Sequence, residues 1–297
     1  MKYFLKIIFL FIYLFILSFI FYYFSTREHF HYDETYNNIF MYWEGNEIDL
    51  VKHCIQRVKN LNQNWNIHIL SRNDYPFYLN SFQQKTYPSC RSDLIRLFYL
   101  EKYGGLWLDA TIINLIPVSK WLSFINQQYN IKKEKDILIG YSYPGEDRIM
   151  ESWLFYCSKN CSFMKLWKDE FLYALSIGFQ QYCTLHEEFY KKEYPKDPLF
   201  LPYLTIHLCF SIIKSRNEYK TKIILLPSCE GPYYYLSSND WNQEKAVESL
   251  KTIQKKETKL RRQVYFIKLR QTERKRIQET LPSTFKKGSI LYNLYFS

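Results

Sequence analysis

The stretch Tyr103-Gly104-Gly105-Leu106-Trp107-Leu108-Asp109-Ala110-Thr111 decides how this chain is read. Helical spacing runs into it over residues 92–102, and an apolar, strand-forming run leaves it toward Leu115. Between the two, adjacent glycines make a hard stop. The first polar group after that stop is a carboxylate, Asp109, inside an otherwise apolar strand. An acid there is costly to bury unless a cation or hydrogen-bond donors meet it, so Asp109 is the residue to be explained.

The helix ahead of the glycines has two N-cap candidates, Ser89 and Ser92, and a core stripe of Leu94, Leu97 and Phe98. Asp93 lies near its start, where the helix dipole favours a carboxylate. Asp93 and Arg96 are three residues apart on one face, which allows either an intrahelical ion pair or a pair at the mouth of a ligand site. Further upstream, residues 38–43 read as a strand closed by Glu44-Gly45-Asn46. Residues 48–61 have helical spacing with Leu50, Val51, Cys54 and Val58 on one side, and 65–70 alternate as a strand. This β-α-β opening predicts an open α/β sheet, and such sheets take ligands at the carboxyl ends of their strands.

Beyond the central stretch the spacing predicts strands over 106–115, 136–143, 223–226 and 264–269, and helices over 118–129, 163–177, 199–213 and 241–256. Glu151-Ser152-Trp153 begins an apolar segment, Gly231-Pro232 turns the chain before Tyr233-Tyr234-Tyr235, and a short apolar segment closes the sequence at 290–295. His207 and Tyr203 share a helix face; a lone histidine there is more often a satisfied core residue than a catalyst.

The chain has 297 residues, 47% hydrophobic and 20% aromatic, enough for one large domain or two small ones with a sizeable core. Its net charge of +11 is concentrated in residues 251–276, a run suited to nucleic acid, anionic lipid or a phosphate-bearing ligand, or to a solvated helix face. No nucleic-acid-binding module accompanies it, so no nucleic-acid partner is expected. The seven cysteines form no CxxC pair, which argues against structural zinc; Cys157 and Cys161 either bridge or stay as buried thiols. Residues 3–24 are apolar except for Lys6 and Ser18, long enough to cross a bilayer, and they end in Phe21-Tyr22-Tyr23-Phe24 rather than a small-residue cleavage site. The reading is a cytosolic tip and transmembrane signal anchor over 1–24, a polar stem over 25–37 and a catalytic domain over 38–297. The cations before the anchor place that domain across the membrane. The sequon Asn160-Cys161-Ser162 agrees with that side.

A carboxylate ending a strand after a Gly-Gly turn suits a hard cation carrying a nucleoside diphosphate, with the glycines letting phosphates approach the backbone. Ser92-Asp93-Leu94-Ile95-Arg96, followed by the stretch from Tyr103 to Thr111, resembles the signature of the capsular polysaccharide synthesis glycosyltransferases. That family is similar to the yeast initiating mannosyltransferases and the clostridial glucosylating toxins. Tyr42-Trp43-Glu44-Gly45, Glu151-Ser152-Trp153, Tyr203 with His207, Gly231-Pro232 and Phe266-Ile267-Lys268-Leu269 are similar to its other landmarks.

The resemblance implies a GT-A-like α/β fold, with a Rossmann-like nucleotide-sugar-binding core and flanking helices after the one N-terminal transmembrane helix. It implies transfer of a sugar from a UDP- or GDP-sugar to a glycan hydroxyl, with retention, helped by Mn²⁺ or Mg²⁺. It further implies that Asp109 holds metal and donor, that Asp93 and Arg96 orient the donor sugar, and that Trp43 walls the nucleotide base. Gly104 and Gly105 would lie at the donor, Glu151 and Trp153 beside donor sugar and acceptor, and Lys268 or His207 at the leaving diphosphate. Localisation would be the Golgi or ER lumen in a eukaryote and the inner membrane in a bacterium. Thr111 stands where a second Asp is common in the wider superfamily, leaving open the source of a second metal ligand. The alternative is an inactive, membrane-anchored member that binds carbohydrate or a partner.

Overall fold

A computed structural model of the chain describes residues 37–46, 48–75, 87–131, 134–193, 202–253 and 264–296. The expected anchor and all of the stem but Asn37 lie outside these residues. Among the described residues no helix is long and apolar enough to cross a membrane.

The order of elements is β1 (Asn38–Tyr42), α1 (Asp49–Leu61), β2 (Asn66–Leu70), α2 (Pro88–Tyr103), β3 (Gly105–Leu108), β4 (Ile112–Asn114), α3 (Val118–Tyr129), β5 (Ile137–Tyr143) and β6 (Glu146–Cys157). Then come α4 (Ser162–Ile177), α5 (Phe179–Leu185), α6 (Glu187–Glu193), α7 (Thr205–Arg216), β7 (Lys222–Pro227), α8 (Tyr234–Ser237), α9 (Gln243–Thr252), β8 (Phe266–Lys268), α10 (Gln271–Glu279) and α11 (Ile290–Phe296). Six strands form one open sheet in the order β2-β1-β3-β6-β5-β7. β1 is parallel to β2 and β3, and β5 to β7, while β6 runs antiparallel between β3 and β5. The fold is therefore α/β with a mixed sheet, and β4 and β8 pair antiparallel in a separate ribbon.

Amphipathic helices cover the sheet. α1 buries Leu50, Val51, Cys54 and Val58, the stripe its spacing predicts, with Ile55 in addition, and starts with Asp49 and ends near Lys59 in agreement with the dipole. A second apolar cluster joins Leu94, Leu97 and Leu100 of α2 to Trp107, Phe155, Trp167 and Phe210. Neither Ser89 nor Ser92 caps α2: the N-cap is Tyr87 and Pro88 is the first helical residue, where its missing N–H costs nothing.

The strand expected over 106–115 is broken. β3 stops at Leu108, the chain turns with the Ile112 N–H donating to the Asp109 carbonyl (3.0 Å), and β4 starts in the other ribbon. The break lets the carboxylate leave the sheet interior instead of lying unpaired within it. All seven cysteines are free; Cys157 is a buried thiol against the Leu100 carbonyl and Cys161 one against Thr221. In the basic run, Lys251, Arg276 and Lys275 pair with Glu248, Glu244 and Glu279 on exposed helix faces.

Candidate active site

A cleft of about 630 Å³ opens at the carboxyl edge of the six-stranded sheet, the size of a small-molecule site. β1 and β3 both end there, delivering Trp43 and Asp109. Because β6 runs antiparallel, its middle, residues 151–153, reaches the same edge. The Asp109 N–H donates to the Trp153 carbonyl (2.9 Å), extending the Leu108–Leu154 pairing by one step. Helix α2 supplies Asp93 and Arg96, α7 supplies His207, and β8 supplies Lys268. Trp43, Asp93, Arg96, Asp109, Glu151, Trp153, His207 and Lys268 thus line one cavity, as do Thr111 and Tyr203.

Arg96 is the hub, with a side chain only 6% exposed. One guanidinium nitrogen binds Asp93 Oδ1 (3.0 Å) and donates to the Ser152 carbonyl (2.8 Å). The other donates to Ser92 Oγ (2.9 Å) and meets Asp109 Oδ1 (3.4 Å), and the guanidinium lies 5.0 Å from the Trp107 ring centre. The Asp93–Arg96 spacing therefore gives an ion pair on one helix, and both residues line the cleft. Asp109 accepts from Trp107 Nε1 on Oδ1 (3.0 Å) and from Lys268 Nζ on Oδ2 (2.7 Å). Lys268 reaches it because β8 sets that residue opposite Ile112, just past the Asp109 turn.

The electrostatics separate three nearby carboxyls. Burial pushes Asp109 up, but Lys268 and Arg96, with the hydrogen bonds from Lys268 and Trp107, outweigh burial and hold it below the usual carboxylate range. Burial lifts Asp93 to about 7, eased by Arg96 and reinforced by Asp109. Burial lifts Glu151 to about 8, with Lys268 and Trp153 opposing. One ionised acid therefore stands beside a protonated one.

Gly104 and Gly105 do not belong to the cleft. They sit at the amino end of β3, opposite Asp109. A Cβ on Gly104 (φ 65°) would stand 2.6 Å from the Lys159 nitrogen, and one on Gly105 (φ 106°) 2.5 Å from the Asn38 carbonyl oxygen. Their backbone packs closely against the protein's own chain, and the structure does not bring either glycine to the cleft that holds Asp109. His207 Nδ1 donates to the Met150 carbonyl (2.8 Å), so it steadies β6 while lining the cavity.

Three features were not read from the sequence as parts of this site. Arg91 on α2 holds Glu44 through two bonds (2.9 and 2.6 Å), and Tyr42 donates to the same carboxylate, tying the Trp43 loop to the helix. Arg270 and Arg274 also line the cleft, and their signal was their place just after Lys268 in the basic run.

The sequence profile of the capsular polysaccharide synthesis protein family matches residues 18–281. The chain belongs to that family. No curated protein sequence matches it significantly. Among solved structures it is similar to a PaToxG glycosyltransferase, with 15% identity, TM-score 0.36, and coverage of 87% of this chain and 86% of that one. It is also similar to a glycosyltransferase involved in glycosylation of the major capsid of PBCV-1, with 13% identity, TM-score 0.42, and coverage of 82% and 98%. A third is the UDP-bound glycosyltransferase domain of the YGT toxin, with 9% identity, TM-score 0.41, and coverage of 88% and 99%.

For this capsular-family chain the donor set does not fit a resident divalent cation. Mg²⁺ and its like take about six oxygen ligands, one or two of them carboxylates and the rest waters and substrate phosphates, so a cation here would depend on Asp109 itself. Asp109 is committed on both oxygens, Asp93 is bound to Arg96, and position 111 offers a hydroxyl. Among the described residues no three His, Cys, Asp or Glu side chains converge as a metal group. Two unit charges 4 Å apart repel by about 4 kcal/mol at an effective dielectric of 20, and a dication beside the Lys268 ammonium would meet about twice that.

Proposed function

We propose that this chain is a GT-A-type glycosyltransferase that moves a sugar from a UDP- or GDP-sugar to a glycan hydroxyl, in polysaccharide, glycoprotein or glycolipid synthesis. The observation that carries this reading is the chain of contacts Asp93–Arg96–Asp109–Lys268 at the carboxyl edge of the sheet. Breaking a glycosyl–phosphate bond puts negative charge on the departing diphosphate, and preorganised cations in a water-poor cleft stabilise that charge. Lys268 meets the leaving diphosphate, and Asp109 keeps Lys268 and Arg96 in place. Asp93 and Arg96 orient the donor sugar, and Trp43 walls the base. Glu151, protonated at neutral pH, donates a hydrogen bond to a sugar hydroxyl, and Trp153 offers its ring beside the acceptor. In the same reading residues 1–24 anchor the protein and the cleft lies beyond the membrane, in the Golgi or ER lumen or at a bacterial inner membrane.

The test is a panel of UDP- and GDP-sugars with the full-length protein, read as release of nucleoside diphosphate. One donor should turn over, and Asp109→Asn should lower the rate by at least about a hundredfold, the scale of a lost electrostatic stabiliser. Glycan binding without donor binding or turnover would favour an inactive carbohydrate-binding member, the reading that Thr111 supports.

A further inference from the structure

The misfit with a divalent cation raises the question of what neutralises the diphosphate. We propose that the donor's diphosphate is bound by Lys268, Arg270 and Arg274, with Lys268 standing on Asp109 where a cation would sit, so that nucleotide binding needs no metal. This rests on the glycosyltransferase reading and adds to it the identity of the counter-charge.

Lys268 is held from both its backbone and its side chain. Its Cα is set by pairing with Ile112, and its backbone N–H donates to the Pro232 carbonyl (3.0 Å). Its side chain is 13% exposed, with Nζ 2.7 Å from Asp109 Oδ2 and 5.6 Å from the Trp153 ring centre. A lysine fixed at both ends is a built part of the site, not a surface cation that has folded inward. Nζ has three donor positions and no need of an oxygen cage, so it keeps Asp109 and still points a proton into the cleft.

Arg270 and Arg274 follow Lys268 in the same short stretch and line the same cavity. Arg270 is braced by Glu273, which accepts its backbone N–H at 2.9 Å and lies 3.6 Å from its Nε, and by the Trp241 ring at 5.7 Å. Arg274 is half-exposed at the flank of the same cavity. Guanidinium groups match phosphate oxygens in pairs, whereas an ammonium acts as a point charge. The three cations thus supply the charge and the forked donors that a metal and its carboxylate would otherwise provide. Thr111 agrees with this: a second carboxylate there would serve an ion and would oppose the diphosphate without one.

The test measures binding of UDP and GDP to the full-length protein by calorimetry, in EDTA and then in Mn²⁺ or Mg²⁺. One nucleotide should bind in EDTA with a Kd within about threefold of its value with metal. Lys268→Met should weaken binding in EDTA by about tenfold or more. In that variant, added Mn²⁺ should recover part of the affinity, because Asp109 is then open. Arg274→Gln, on the half-exposed flank of the cleft, should weaken binding several-fold whether or not metal is present, and serves if Lys268→Met does not fold. Wild-type binding that vanishes in EDTA and returns with Mn²⁺ overturns the proposal while leaving the glycosyltransferase reading intact. Failure of every nucleotide in both buffers overturns both.

Discussion

Asp109 and Lys268 are 159 positions apart in the chain and 2.7 Å apart in the fold. At this scale the structure sorts acids by their surroundings. Asp109 keeps its charge because two cations and an indole N–H face it, while Glu151, 6% exposed, is pushed by burial to about 8 against Lys268 and Trp153. The sign of the consequence follows from linkage. Glu151 has a folded pKa above its ordinary 4.5, so between pH 4.5 and about 8 the folded state holds more protons than the unfolded one. Its contribution to stability is complete below that window and is lost as pH rises through it. Asp93 acts in the same direction up to about 7. Glu151→Gln should therefore flatten the fall of Tm between pH 5 and pH 8 relative to the wild type, as scanning calorimetry would read it. An unchanged slope would mean that Glu151 is already ionised in the folded protein. The residue types at the site were legible in the sequence, since an acid in an apolar strand and an Asp–Arg pair at helical spacing both stand out. The partners of Asp109 across the fold were not, because local spacing carries no information about a contact of that sequence separation.

At the scale of elements, most helices and strands follow from apolar periodicity, and the departures have local causes. Pro88 sets the start of α2 ahead of both serines, which frees Ser92 to accept from Arg96 (2.9 Å). Asp109 ends β3 because continuing the strand would bury it. The Gly-Gly pair acts as a stop: both residues have left-handed φ and both press on the chain's own backbone. Gly104→Ala and Gly105→Ala should each destabilise the fold by at least about 2 kcal/mol in urea unfolding, from backbone strain and close contact. Nucleotide affinity of the folded fraction should stay within about twofold of the wild type. A selective loss of affinity with stability intact would return the glycines to the donor site.

At the scale of the whole molecule, the antiparallel strand β6 decides where the site lies. Inserted between β3 and β5, it brings Glu151 and Trp153 beside Asp109, and the β4–β8 ribbon then brings in Lys268. Asn160 is exposed, with φ 60°, between β6 and α4. In a eukaryotic secretory pathway it should carry a glycan, seen as an endoglycosidase-sensitive mobility shift that Asn160→Gln removes, and cleavage of the C-terminal region by protease from the cytosolic side would reverse the assignment. From the sequence alone came the α/β class, the family, most of the helices and strands, and the marking of Asp93, Arg96 and Asp109 as residues to explain, because periodicity, helix-stopping glycines and a misplaced charge are local properties; the strand Glu146–Cys157 was not among them. The folded chain added that Arg96 serves two carboxylates, that Lys268 takes up the second oxygen of Asp109, and that Gly104 and Gly105 pack closely on their own backbone. Those outcomes depend on strand order and register, which arise from burying the sheet as a whole and not from any one segment of it.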